Sequence, residues 1–297
     1  MSVGSVYMKL RQKYQHGLRT VWYRDHVRER ILQTKPISQT NSTACEIHVL
    51  TSKNDYINLM WALKTFYFYS QRDYSLCIHE DGTLEPGQQK LLHEHFPNAR
   101  IVLKKEADEI MRKELTAYPA CLQFRMSNHL APKLFDFKYF LKSDRMLLLD
   151  SDILFFESPK ELIDRVEDTN YHKNSFNKDV MYGYTIPFEE LQSQLDFELI
   201  PHFNSGLGLI HKDSIRTEWI ENFLNIPNIV GHFWRIEQTL FALCSSRFGV
   251  ELLPSIYNVR LDKGITGLPA RHYVGTIRHL MYSEGIKQLV SQGFLGL

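Results

Sequence analysis

The sequence predicts an α/β fold, a mainly parallel central sheet with helices on both faces plus an N-terminal helical extension, and three observations carry that prediction. Short apolar runs alternate with helix-period segments from residue 45 onward. The joining loops are short, and alternation of this kind builds a parallel sheet through right-handed crossovers. One run, 146–149, shows no period-2 alternation and reads as a strand buried on both faces. At 297 residues with 43% hydrophobic content, the chain can bury a large core. Its net charge of +1 gives no overall field for nucleic acid, so no nucleic-acid partner is expected. The charge is uneven: residues 1–40 carry +6 and the remainder −5. Four cysteines without a CxxC pair read as free thiols of a reducing compartment, with no structural zinc. No apolar run approaches the roughly 18 residues that span a bilayer, so a cytoplasmic protein is expected, soluble or peripheral on the cytoplasmic membrane face.

Residues 7–22 place Tyr7, Leu10, Tyr14, Leu18, Val21 and Trp22 at spacings of three and four, which predicts one amphipathic helix, weakened by Gly17. Its basic faces suit an anionic membrane surface, giving a peripheral contact through residues 7–32; docking of the stripe on the main domain is the other outcome. A polar linker at 34–43 closes the 1–40 extension, and residues 41–297 form the main domain. There, strand 45–51 is followed by a loop with Asp55 as helix N-cap and a helix at 56–69; next come strand 74–79, helix 87–95, strand 100–103 and helix 106–115. A helix at 159–166 precedes a polar loop at 167–178; Asp213 is expected to cap a helix reaching Leu224, and strand 250–253 follows helix 239–247.

The run 145–156, RMLLLDSDILFF, breaks on Asp150 and Asp152. Carboxylates are rarely left unpaired at a buried strand end, and residues i and i+2 of an extended chain can converge on one cation. A turn in which either aspartate caps backbone amides is the alternative. No glycine-rich phosphate loop occurs, so nucleotide phosphates would need another source of positive charge, such as a cation at those aspartates. In FNSGLGLIH, 203–211, Gly206 and Gly208 strip a strand of side chains where a ligand or another backbone can approach, and Asn204 stands at its entrance; a bulge without a ligand fits equally. Glu237 before Gln238 is accounted for by the helix macrodipole alone. His272, Gly275 and Arg278 follow at intervals of three, an imidazole, a turn glycine and a phosphate fork.

Together these motifs resemble the GT-A (Rossmann-like) nucleotide-sugar glycosyltransferases, nearest to glycosyltransferase family 8, over about residues 45–285. MLLLDSD resembles the family's DxD strand, FNSGLGLI its FNSG-type strand, Glu237-Gln238 its Asp-Gln, and His272-x-x-Gly275-x-x-Arg278 its His-x-x-Gly-x-x-Lys. The resemblance implies metal ligation by Asp150, Asp152 and His272. It implies donor contacts from Ser151, Gly206, Gly275 and Arg278, with Lys133 near the nucleotide where relatives carry arginine; a surface lysine reads equally well. Gln238, Asn204 and Glu237 are the catalytic candidates on the sugar side. The expected cofactor is Mn2+ (or Mg2+) and the donor a UDP-sugar, with hexosyl transfer to a hydroxyl acceptor, a glycan or lipid-linked group, with retention. Three departures stand out: arginine at 278 for lysine, His279-Leu280 for Pro-Trp, and Glu237 for aspartate. A nucleotide-sugar-binding protein without turnover is the non-enzymatic alternative. An aspartate-nucleophile phosphohydrolase also has a strand ending in DxD, but near its N-terminus.

Overall fold

The computed structural model describes Ser5, Met8, Arg11 and residues 13–296. Its centre is a seven-stranded sheet built from β1 (Ser42–Thr51), β2 (Tyr74–Glu80), β3 (Arg100–Val102), β4 (Arg145–Leu149), β6 (Asn174–Lys178), β7 (Phe203–His211) and β8 (Val250–Leu252), in the order β3-β2-β1-β4-β7-β6-β8. Four of the six pairings are parallel; β7 runs antiparallel to both β4 and β6. A separate ribbon pairs β5 (Ile153–Phe155) antiparallel with β9 (Ala270–His272). The unalternating run 146–149 is explained by two cores: Leu147 and Leu149 pack into one face, Met146 and Leu148 into the other.

Helix α2 (Tyr56–Ser70) is buried nearly all round, because β5 packs on one side of it and the N-terminal segment on another. Thr65 Oγ1 accepts the Phe155 amide at 3.2 Å, and Trp61 Nε1 donates to the Arg28 carbonyl at 2.8 Å. Across the sheet, α5 (Pro119–Ser127) and the short α6 (Asp136–Phe140) are tied by the buried Arg125, whose guanidinium donates to both Asp136 oxygens at 2.5 and 2.6 Å and lies 2.9 Å from Asp108. Neither helix is marked by the periodicity of the sequence.

Three expectations are corrected. The predicted loop 167–178 contains β6, a buried strand; its polar residues are satisfied internally, with Asn174 Nδ2 donating to Ser214 Oγ and Ser245 Oγ at 2.9 and 3.0 Å. Tertiary pairing here outweighs the polar composition. Asp213 lies in a 3-10 turn ahead of α9 (Thr217–Leu224), whose N-cap is Arg216. The single helix 7–22 is interrupted: Gly17 has φ 85°, and helical chain restarts at α1 (Leu18–Trp22) and runs on to Gln33. Tyr7 and Leu10 lie outside the described residues. All four cysteines are free and buried, and among the described residues no helix is long and apolar enough to cross a membrane.

Candidate active site

The strand order turns at β1, which sends its crossover to β2 on one side and has β4 on the other. A crevice at the carboxyl ends of strands flanking such a switch point is where open α/β sheets bind ligands. A pocket of about 430 Å³ lies there, lined by Leu50, Thr51 and Ser52 from the end of β1, by Asp150, Ser151 and Asp152 from the end of β4, and by Lys133, Trp234 and Arg278.

Backbone pairing assembles its polar floor. The Asp150 amide donates to the Gly206 carbonyl at 2.9 Å, holding the end of β4 against β7. Ile153 then pairs with His272, and the Tyr273 amide donates to the Asp152 carbonyl at 2.9 Å, so the β5–β9 ribbon brings a histidine 120 positions away alongside the second aspartate. Donor atoms of Asp150, Asp152 and His272 all lie within 4.8 Å of one another.

Hydrogen bonding fixes the imidazole. Asn204 Nδ2 donates to Asp179 Oδ2 at 2.8 Å, which turns Asn204 Oδ1 inward; there it accepts the Gly206 amide at 3.0 Å and lies 2.9 Å from His272 Nδ1. Nδ1 must therefore carry the proton. His272 Nε2 sits 3.1 Å from Asp152 Oδ1. Two lone pairs would face each other across that distance unless a proton or a cation lay between them, and this is a donor set that fits a divalent ion. In the metal-free protein the proton takes that place: burial lowers the His272 pKa, but the Asp152 charge outweighs it and the net direction is upward.

Two further cations hold the carboxylates. Arg278 Nη2 donates to Asp152 Oδ2 at 2.6 Å, and its Nη1 lies 3.4 Å from Asp55 Oδ1. Burial raises the pKa of Asp152, yet His272 and Arg278 together bring it well below the ordinary carboxylate range. The buried Lys133 Nζ is 2.6 Å from Asp150 Oδ1 and 3.3 Å from Glu237 Oε1. Burial disfavours its charge, but Asp150 and Glu237 raise its pKa above the usual lysine value. For Glu237 burial dominates and the pKa rises, although Ser205 Oγ donates to its Oε2 at 3.0 Å.

Lys133, Asp150, Ser151, Asp152, Arg278, His272, Asn204 and Glu237 thus meet in one place. Gln238 is held close by: its Oε1 accepts the Ser205 amide at 3.3 Å and its Nε2 donates to the Gly183 carbonyl at 3.1 Å. Gly275 begins the 3-10 turn that leads to Arg278, with open space where a side chain would project. Gly208 lies against the Phe176 ring. Asp55 and Asp179 belong to the polar network without having been singled out in the sequence; Asp179 follows the strand that reads as a loop, so nothing local marks it.

Gly206 has a particular task. A Cβ there would stand 2.2 Å from His272 Cε1, with the rest of the ring beside it. Gly206→Ala is therefore expected to push the imidazole off its Asn204 and Asp152 partners. Histidine NMR titration should show His272 losing its raised pKa; an unchanged titration would refute this packing role.

The seven-stranded, mainly parallel sheet with its antiparallel β7 has the GT-A fold of glycosyltransferases, shared with the solved structures to which the chain is similar. No family model and no curated protein sequence matches the chain. Among solved structures it is similar to mouse xyloside xylosyltransferase 1 in its apo form, at 12% identity and TM-score 0.55 over 78% of this chain and 98% of that one. It is similar also to the galactosyltransferase LgtC in complex with donor and acceptor sugar analogues, at 16% identity and TM-score 0.55 over 83% and 95%. The S. cerevisiae mannosyltransferase Ktr4p aligns at 9% identity and TM-score 0.50 over 80% and 78%.

Proposed function

We propose that the chain is a metal-dependent glycosyltransferase related to family 8, moving a hexosyl group from a UDP-sugar to a hydroxyl acceptor with retention. The observation that carries this is the His272–Asp152 pair beside Asp150: two carboxylates that line the switch-point pocket with an imidazole nitrogen directly behind them. Asp150, Asp152 and His272 would hold the ion, and a mixed oxygen and nitrogen set favours manganese over magnesium. A bound ion would supply Lewis acidity toward the negative charge that grows on a departing nucleoside diphosphate. Arg278 borders the same pocket with Nη2 on Asp152 and Nη1 near Asp55, so it adds positive charge there and would reach phosphate oxygens by sharing or exchanging those carboxylates. The buried Lys133 fixes Asp150 and adds positive charge to the floor. Asn204 has both polar atoms engaged by Asp179, His272 and the Gly206 amide, and so acts by orienting the imidazole. Gln238 and Glu237 flank Ser205 on the sugar side, Gln238 to position the sugar and Glu237 to stabilise cationic charge on it.

Calorimetric titration with UDP and GDP, with manganese and with chelator, tests the donor half. Manganese-dependent UDP binding is expected, followed by slow manganese-stimulated hydrolysis of UDP-hexoses. Absence of nucleotide binding under every condition would overturn the proposal, and binding without any turnover would leave a nucleotide-sugar-binding protein.

A further inference from the structure

The N-terminal stripe divides between two environments. Thr20, Val21, Val27 and Ile31 are buried, and Arg28 Nη1 donates to Asn58 Oδ1 at 3.1 Å, so one side of the segment is part of the domain. The other side is uncovered and mixes large apolar side chains with charged ones. Leu18 and Trp22, four apart on α1, are 76% and 58% exposed, and Tyr14 just ahead of the Gly17 break is 41% exposed. Arg11 and Arg19 stand exposed among them, and Lys13 lies 3.1 Å from Asp25 while its side chain remains half-exposed. An aromatic, an indole and a leucine interleaved with basic side chains match the apolar boundary and anionic headgroups of a phospholipid surface.

The position of this side is also informative. His16 stacks on His279 with ring centroids 3.8 Å apart and planes 5° apart, and His279 is the immediate neighbour of Arg278 in the pocket wall. Another exposed aromatic, Trp234, is 63% exposed and lines the same pocket; it packs against His129 at 4.9 Å, with the loop pinned by Asn128 Nδ2 donating to the Phe233 carbonyl at 2.8 Å. Trp234 thus lines the pocket itself, while the N-terminal segment reaches, through His16, the residue next to Arg278 in its wall.

We infer that Tyr14, Leu18 and Trp22, with Arg11 and Arg19, seat the chain on an anionic phospholipid bilayer with the pocket beside the lipid. Given the glycosyltransfer proposed above, this adds that the acceptor hydroxyl is carried on a lipid; the membrane contact itself does not rest on that function.

Co-sedimentation of the full chain with phosphatidylcholine vesicles, with and without phosphatidylserine, tests the inference at low and high salt. Binding is expected only with phosphatidylserine and should weaken with salt. Leu18→Ser combined with Trp22→Ser, and separately Arg11→Glu with Arg19→Glu, should each weaken partitioning by about ten-fold or more. Thermal melting and UDP titration should stay as in the parent, which keeps a failed fold or a failed donor assignment distinct from a failed membrane contact. A parent chain that stays in the supernatant, or variants that sediment as it does, would overturn the inference. So would a dimer in light scattering that the Leu18/Trp22 variant converts to monomer, since a second copy would then cover the face.

Discussion

Asp152→Ala is expected to lower the proposed metal-dependent glycosyl transfer by about 100-fold or more, because the ion that would stabilise the departing diphosphate loses one of its holders. The expectation follows from its two contacts: one oxygen faces His272 Nε2 and the other accepts from Arg278 Nη2. The variant thus loses a proposed metal ligand and also releases both neighbours. The metal-free protein offers a readout independent of activity. His272 is raised because Asp152 overcomes the effect of burial; without that charge, burial prevails and the imidazole pKa should fall. The sign of the linked stability follows. A raised histidine stabilises the fold below its unfolded pKa and loses that contribution as pH rises through the folded value, so the parent should gain stability on mild acidification where the variant does not. Histidine NMR and denaturant titrations at several pH values would check both; transfer at the parent rate in Asp152→Ala would remove the metal assignment.

Arg125→Ala is expected to cost about 3–5 kcal/mol of folding stability, the usual result of stranding a buried charge by removing its partner. Both Arg125 and Asp136 are buried, and the guanidinium donates twice to Asp136 while its Nη1 forms an ion pair with Asp108 at 2.9 Å. No donor of comparable geometry replaces it among the described residues. Burial already raises the Asp136 pKa despite the arginine. Without Arg125 that carboxyl should take up a proton more readily still, so the loss should shrink under acid and grow as pH rises. Replacing both residues by apolar ones of similar size should recover most of the stability, because the cost lies in the unpaired charge. Urea denaturation of the single and double variants measures this; a single variant as stable as the parent would show the pair to be incidental.

The legible part of the fold came from period and local chemistry. A strand buried on both faces must be apolar throughout, so 146–149 announced its place between two cores, and two carboxylates in such a position announced a site. What stayed hidden was whatever depends on a partner far along the chain. β6 is polar by composition and becomes a strand because β7 and β8 flank it and Ser214 and Ser245 satisfy Asn174. The short helices 119–127 and 136–140 are held by distant partners, Glu221 accepting the Ala120 and Cys121 amides and Arg125 joining Asp136, as well as by the buried Cys121, Phe124 and Phe137.

The candidate site divides in the same way. The sequence by itself placed Asp150 and Asp152 at the end of a buried strand. Their convergence is not that of an extended chain, because residues 150–152 form a turn in which the Ile153 amide donates to the Asp150 carbonyl at 3.3 Å. Only tertiary structure decided that His272 meets them, since that requires the pairing of Ile153 with His272, and that Asp179 sets the imidazole through Asn204. It also split the N-terminal stripe into a docked side and an uncovered one. Helical period says which residues share a side of a helix; only the shape of the domain beneath says how much of that side it can cover.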